Sequence, residues 1–451
     1  MNPAAPVRAP LAREFAAAAR AIEALAGGRS LQAALEGVFE AADAPLPAAS
    51  RAAVRDIASA ACRRLGLARA LAQRLNRRAP PARLAALQWV ALVQLVEPVR
   101  AEAVIVDQAV AAARLEPGGT AAAGFLNATL RRFARERAAL LAAARGEPEA
   151  RWNFPPWWVD LLREEQPHAW QAILEAGNAL PPMTLRVNRR RGSPDDYLAL
   201  LAEAGRAARR IGPQALVLEA PCAVDALPGW HEGWVSVQDA GAQLAAPLLE
   251  PHDGERILDA CAGPGGKATH LLELARCRLT ALDVDESRLR PVRENLARLR
   301  LDDASAGLVS VQAGDARRPA DWWDGQPFDR ILVDAPCTAS GIVRRHPDIR
   351  WLRRRSDLAT LSRRQSEILE ALWPLLRPGG KLLYATCSVF RAEGVSVIDR
   401  FLTGRRDADR LPLRWRFDSA AAAEPVSQLL PTAEPARDHD GFFYALLEKR
   451  P

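Results

Sequence analysis

One stretch narrows the folds open to this chain more than any other. Arg256-Ile-Leu-Asp-Ala-Cys-Ala-Gly-Pro-Gly-Gly-Lys-Ala-Thr-His270 reads as a buried strand, a glycine-rich turn and the start of a helix. Gly263, Gly265 and Gly266 allow the backbone to approach a ligand closely and present amides at a helix start. The next strand, Leu279 to Asp283, ends on an acid about twenty positions on, suited to ribose hydroxyls. A third ends at Gly314-Asp315, placed to accept from an adenine amino group, and a fourth ends at Asp334. Neither the GxGxxG spacing of a dinucleotide site nor the GxxxxGK[ST] of a Walker loop is present.

Two cysteines extend the same edge. Cys337, in Ile331-Leu-Val-Asp-Ala-Pro-Cys-Thr-Ala-Ser-Gly341, and Cys387, in Lys381-Leu-Leu-Tyr-Ala-Thr-Cys-Ser388, each follow an apolar, strand-like run. Open α/β sheets bind ligands outside the carboxyl ends of their strands. Two thiols and the Asp334 carboxylate delivered there suggest a reaction centre.

A chain of 451 residues is too long for one core, so two or three domains are expected. The longest apolar stretch, Leu84 to Val96, is broken by Gln88 and Gln94 and is too short to span a bilayer. The N-terminus carries Glu14 and Glu23 and lacks a signal-peptide core, so a cytoplasmic protein without membrane attachment is expected. The net charge of +7 favours a polyanionic partner. The six cysteines, Cys62, Cys222, Cys261, Cys277, Cys337 and Cys387, show no CxxC pair and no histidine at ligand spacing, which argues against a metal.

Three segments follow. Residues 1–145 are Ala/Leu/Arg-rich with helical periodicity; Pro80-Pro81 opens one helix and Pro98 ends it. Residues 146–235 begin with a linker whose Trp152, Phe154, Trp157 and Trp158 are read as packing anchors rather than base-stacking rings. They continue as a small α+β connector with strands at Met183–Asn188 and Ala215–Glu219. Residues 236–451 form the α/β domain, ending in the strand Gly441–Leu447.

Gln88-Trp-Val-Ala-Leu-Val-Gln-Leu95, Glu102-Ala-Val-Ile-Val-Asp-Gln-Ala-Val110 and Gly124-Phe-Leu-Asn-Ala-Thr-Leu-Arg-Arg132 resemble the NusB family of RNA-binding antitermination factors. That resemblance implies an RNA-contacting bundle, with Arg131, Arg132, Arg135 and Arg137 near a helix end where they could position phosphates. The glycine-rich turn with acids at successive strand ends is similar to class I S-adenosylmethionine-dependent methyltransferases, which have a Rossmann-like seven-stranded sheet.

The two cysteine segments resemble the RNA 5-methylcytosine methyltransferases, most closely the RsmB (Sun/Fmu) branch acting on 16S ribosomal RNA. Val343-Arg-Arg-His-Pro-Asp-Ile-Arg-Trp-Leu352, Gln238-Asp-Ala-Gly-Ala-Gln243 and Asp440-Gly-Phe-Phe-Tyr444 extend the likeness. It implies transfer of a methyl group from S-adenosylmethionine to cytosine C5 by a monomer. Cys387 is then the nucleophile, Cys337 acts in product release, and Asp334 contacts the cytosine edge or the donor. DNA cytosine methyltransferases use the Pro-Cys thiol instead, so the residues alone leave the division open. The same resemblance has Cys261, Ala262, Gly263, Pro264, Gly265, Gly266 and Lys267 cradle the donor, with Asp283, Asp315 and Asp334 completing its site. Gly263 stands where the family commonly has alanine, a change expected to loosen the turn. Arg344, Arg345, Arg350 and Arg353–Arg355 are expected to grip RNA near the target. Two alternatives remain: the same chemistry on transfer RNA, and a non-catalytic RNA-binding assembly factor.

Overall fold

The computed structural model describes residues 8–41, 45–116, 118–302, 308–415, 424–425 and 427–451. The chain divides into two compact units, Met1–Asn178 with Val343–Arg353, and Ala179–Ile342 with Arg354–Pro451. No helix among the described residues is long and apolar enough to cross a membrane.

The regular structure described in the first unit is all helical. Its long helices are Leu11–Ala26, Ala48–Arg63, Leu65–Leu75, Ala82–Val96, Glu102–Arg114 and Gly119–Arg145. They enclose Phe15, Ile22, Leu71, Val90, Leu92, Leu126, Leu130 and Phe133, all fully buried. The helix Ala82–Val96 starts directly after Pro81 and stops short of Pro98. Proline pre-sets φ for a helix start but brings no amide to continue a helix already under way. Gln88 lies on the buried face because its amide exchanges two hydrogen bonds with Asn76, at 2.8 and 2.9 Å.

Residues 146–178, expected with the connector, belong to this unit as the helices Pro148–Trp152, Pro156–Glu165 and Trp170–Asn178. Trp152, Phe154 and Trp158 are buried, so these rings pack and do not offer a face to a base. The segment Val343–Arg353 is held by the same helices. The Arg350 guanidinium stacks 4.1 Å from the Phe154 ring centroid and donates to Asn178 Oδ1 and the Gly177 carbonyl at 2.5 and 2.6 Å. Asp348 accepts from the Leu31 amide at 2.9 Å, and Trp351 Nε1 donates to the Cys62 carbonyl at 2.8 Å.

The arginine-rich run expected on RNA is therefore partly interior. Arg344 is 1% exposed and Arg350 fully buried, and guanidinium groups so placed are unavailable to a phosphate. A buried guanidinium is tolerable where acceptors meet it, and here both terminal nitrogens of Arg350 find acceptors distant in sequence. Arg345 is half-buried.

Among the described residues the second unit holds two main sheets and one two-stranded ribbon. In the connector, β1 (Thr184–Val187), β2 (Ala208–Arg210), β3 (Ala215–Leu218) and β4 (Val235–Val237) form an antiparallel sheet of order β2-β3-β1-β4. Its helix Pro194–Glu203 starts with a capping box, Ser193 and Asp196 each bonding the other's backbone.

The larger sheet contains β5 (Arg256–Asp259), β6 (Arg278–Asp283), β7 (Val309–Ala313), β8 (Phe328–Asp334), β9 (Leu376–Thr386) and β10 (Ala408–Leu411). β11 (Arg414–Trp415) and β12 (Glu424–Pro425) pair only with each other, while β13 (Gln428–Leu429) and β14 (Phe442–Lys449) return to the sheet. Its order is β10-β14-β9-β8-β5-β6-β7, the seven strands expected, with the two-residue β13 added on β14. β5 to β9 run parallel; β14 lies antiparallel between β9 and β10. The order reverses beside β5, which pairs with β6 on one side and β8 on the other, making the switch point where open sheets take ligands.

Candidate active site

β8 and β9 are adjacent and in register, Ile331 opposite Leu382 and Asp334 opposite Ala385. Both strands therefore end together, and the loops beyond them emerge side by side. That register brings Cys337 Sγ and Cys387 Sγ to 3.4 Å, although 50 residues separate them. The hydrogen bond shared with Cys387, followed by burial, pushes the Cys337 thiol well above its ordinary range. Cys337 is thus held as the protonated partner. Cys387 is half-buried.

Three backbone contacts fix these loops. Ala335 N donates to the Ala385 carbonyl at 2.9 Å, Gly341 N to the Cys387 carbonyl at 2.8 Å, and Gly441 N to the Gly341 carbonyl at 2.9 Å. A Cβ at Gly341 would lie 2.0 Å from the Gly441 carbonyl oxygen, which is backbone and has nowhere to retreat. Gly341→Ala is expected to cost at least about 3 kcal/mol through overpacking. Urea unfolding with methyl transfer measured on the folded fraction checks this; wild-type stability would show that the loops tolerate separation.

Around the thiols, Lys267 Nζ bonds Asp334 Oδ2 at 2.6 Å and lies 5.6 Å from the Phe442 ring centroid. Burial opposes the lysine charge, but Asp334, Cys387 and Asp259 outweigh it and raise Lys267 above its ordinary value. The ammonium is thus within electrostatic reach of Cys387. Asp259 is fully buried at the end of β5. Burial, then the Asp334 carboxylate, pushes its carboxyl up to about 7 despite Lys267. Cys261 is pushed well up by burial and by the carboxylates of Asp259, Asp334 and Asp283, which leaves it a poor nucleophile.

The glycine turn was expected to cradle the donor, and its local geometry fits one. Gly265 has φ +102°, a conformation glycine adopts without strain. It opens the helix Gly266–Leu274 with no side-chain cap, so first-turn amides remain for an anionic group such as the donor carboxylate. Gly263 is tied rather than loose: its amide donates to Asp283 Oδ2 at 3.0 Å and its carbonyl accepts from Arg288 Nη2 at 2.7 Å. A Cβ there would come within 2.7 Å of Arg288 Cβ and 2.8 Å of Asp283 Oδ2. Glycine at this position lets β6 close on the turn, which corrects the expectation of a looser one.

Asp283 is buried beneath Arg288, at 3.2 Å, and also accepts from the Asp285 amide at 3.1 Å. Asp315 lies just beyond β7, where a salt-bridged hydrogen bond with Arg317 at 2.7 Å holds its carboxyl below the usual range. Arg131 and Arg132 lie on the helix Gly119–Arg145 of the first unit. Arg131 is exposed with Asn127 as a neutral partner at 2.9 Å, whereas Arg132 is engaged by Glu136 at 3.1 Å.

Several residues here carry no motif signal. Arg186, on β1, is wholly buried and makes a two-point ion pair with Glu273 at 2.7 and 3.0 Å while donating to the Gly266 carbonyl at 2.5 Å. It holds the helix that begins at the glycine turn. Glu393, in the turn Arg391–Glu393, accepts from Thr338 and Ser388. The only available sign was a charged residue inside an otherwise apolar neighbourhood.

Residues 246–448 match the family model described as 16S rRNA methyltransferase RsmB/F. Residues 154–225 match the ferredoxin-like domain model of RsmF/B-like methyltransferases, and 12–135 match the NusB family. The chain is 47% identical to ribosomal RNA small subunit methyltransferase B of Vibrio cholerae over 330 residues, 72% of each chain. It is 49% identical to the Pseudomonas putida protein of the same name over 332 residues, 73% of this chain and 74% of that one. Among solved structures, that of PH0851 superposes over 99% of this chain and 100% of its own with a TM-score of 0.76, a likeness of fold at 24% identity.

Proposed function

Because this chain belongs to the ribosomal RNA small subunit methyltransferase B family of S-adenosylmethionine-dependent rRNA methyltransferases, we propose that it methylates C5 of one cytosine in 16S rRNA through a covalent Cys387–C6 adduct. The observation that carries this reading is the pair of thiols 3.4 Å apart at neighbouring strand ends.

Cytosine C5 is a weak nucleophile. Addition of the Cys387 thiolate to C6 makes C5 enamine-like, and only the thiolate adds efficiently. S-adenosylmethionine supplies the electrophilic methyl group. After transfer, a base takes the C5 proton, the C–H electron pair re-forms the C5–C6 double bond, and the Cys387 thiolate is expelled, with the Cys337 thiol 3.4 Å away placed to hydrogen-bond the departing sulfur. Cys337, a protonated thiol beside Cys387, serves this release. Asp334, oriented by its 2.6 Å bond from Lys267, binds the cytosine N3/N4 edge or the donor. The turn Cys261–Lys267 holds the donor mainly through backbone, with Asp283 and Asp315 beside it. The target base must leave any stem to reach the thiol. Arg131 of the first unit adds a salt-dependent phosphate contact.

The test is transfer of labelled methyl to 16S RNA lacking this modification, followed by base mapping. A single 5-methylcytosine is expected; label on another base or another ring position sinks the reading. Cys337→Ala is expected to lose turnover while accumulating a protein–RNA adduct on a denaturing gel. An adduct formed by Cys387→Ala and absent from Cys337→Ala would reverse the two roles.

A further inference from the structure

We propose that Glu393 is a positioning residue that sets the spacing of the two reaction thiols by tying together the residues that follow each of them. This rests on the reading of Cys337 and Cys387 given above.

Glu393 is 0% exposed. One carboxylate oxygen accepts from the Thr338 amide at 2.7 Å; the other accepts from the Thr338 hydroxyl at 2.5 Å and the Ser388 hydroxyl at 2.7 Å. Thr338 is the residue after Cys337 and Ser388 the residue after Cys387. A single carboxylate therefore bridges both cysteine loops. The link is reinforced by Ser340 Oγ and Ser388 Oγ at 2.9 Å, with Ser340 also accepting from the Val389 amide at 3.0 Å.

Glu393 is itself held from β9. Its backbone carbonyl accepts from Tyr384 Oη at 2.8 Å and from Thr386 Oγ1 at 3.3 Å. Gly394 lets this turn lie against the Phe443 ring, which a Cβ would approach to 2.8 Å. Gln365 Nε2 donates to the Pro336 carbonyl at 2.9 Å, steadying the first loop from the helix Arg355–Leu372.

Charge-assisted hydrogen bonds are shorter and stronger than neutral ones, and a buried carboxylate with several donors rigidifies what it touches. The Glu393 charge also raises Cys337, helping to keep that thiol protonated. The carboxylate acts through Thr338 and Ser388, the residues that follow the two sulfurs.

The experiment compares wild type, Glu393→Gln and Glu393→Ala by methyl transfer and by reaction with phenylarsine oxide. That arsenical bridges two neighbouring thiols with loss of water, and peptide mass mapping locates the bridge. Wild type is expected to bridge Cys337 to Cys387. Glu393→Ala is expected to lose the bridge and about 100-fold in kcat, with KM for S-adenosylmethionine within about twofold. Glu393→Gln keeps an acceptor for Thr338 and is expected to recover bridging and all but about tenfold of kcat.

Should Glu393→Ala fail to fold, Thr338→Val and Ser388→Ala each remove one arm, and each is expected to slow bridging and turnover. Bridging and kcat at wild-type levels in folded Glu393→Ala, or in both single-arm variants, would overturn the proposal. If wild type makes no 5-methylcytosine but its bridging still depends on Glu393, the positioning stands and the reaction reading falls.

Discussion

Cys387→Ala is expected to lower kcat for rRNA methylation by at least about 10⁴-fold, because it removes the group that forms the covalent intermediate. Without addition at C6, no nearby group makes C5 nucleophilic, and Cys337 does not substitute. Its thiol is pushed up by the hydrogen bond shared with Cys387 and by burial, and burial alone keeps it a poor thiolate once the partner is gone. Stability should change little, within about 1 kcal/mol, since Cys387 is half-buried and its loop is held by backbone bonds at Gly341 and by Ser388. Donor affinity should remain within about twofold, as the turn Cys261–Lys267 is untouched. Single-turnover assays with trapped adduct quantify the loss. Turnover within about a hundredfold of wild type would show that another residue attacks C6.

Arg186→Ala is expected to destabilise the second unit by about 3–5 kcal/mol, the scale for breaking a buried ion pair by removing one partner. Arg186 and Glu273 are 0% and 1% exposed, so water does not replace what is lost. Besides Glu273, the guanidinium donates to Gln238 Oε1 and the Gly266 carbonyl, both at 2.5 Å, and to Thr269 Oγ1 at 3.0 Å. The variant should also bind S-adenosylmethionine more weakly, since Gly266 belongs to the donor turn.

The pH dependence has a definite sign. Burial raises the Glu273 carboxyl above its ordinary value, with Arg186 pulling against it. The native state then binds more protons than the unfolded chain between the two values. Stability from this group is complete below about pH 4.3, the unfolded value, and is lost as pH rises through the folded one. Removing Arg186 raises the folded value further, so the deficit of Arg186→Ala should be widest near pH 8 and shrink towards pH 5. Urea unfolding across that range measures it, and adding Glu273→Met should restore most of the loss. A pH-independent deficit under about 1 kcal/mol would mean the pair contributes little.

Much of the methyltransferase sheet was legible because its signals are local. The apolar runs ending at Asp259, Asp283 and Asp334 are strands that end on an acid, and glycines at 263, 265 and 266 make the tight turn after the first of them accessible. Periodicity likewise showed the helix between Pro81 and Pro98. Cys387 follows directly on such a strand and Cys337 follows another after Ala335-Pro336, so their delivery to the sheet's edge could be read from the chain.

Their meeting could not. The 3.4 Å contact depends on β9 lying beside β8 in one register, a choice made by packing across the whole sheet. Arginines show the limit most clearly. In sequence Arg186, Arg344 and Arg350 resemble any solvated or RNA-binding arginine, yet each is buried. For Arg186 and Arg350 the acceptors that make burial tolerable, Glu273 and Gly266 for one, Asn178 and Gly177 for the other, lie 80 to 173 residues away in the chain. Glu393 is the same case, since what it binds depends on which loops close around it.

By itself, then, the sequence determined the strands in their succession along the chain, the glycine turn and the two thiols with their edge, because backbone sterics and hydrophobic period act over a few residues. Only the tertiary structure decided which thiol faces which, which carboxylate spans them and which arginines leave solvent. Hydrogen-bond partners of buried charges are supplied by distant segments, and their presence sets whether a charge can stay inside.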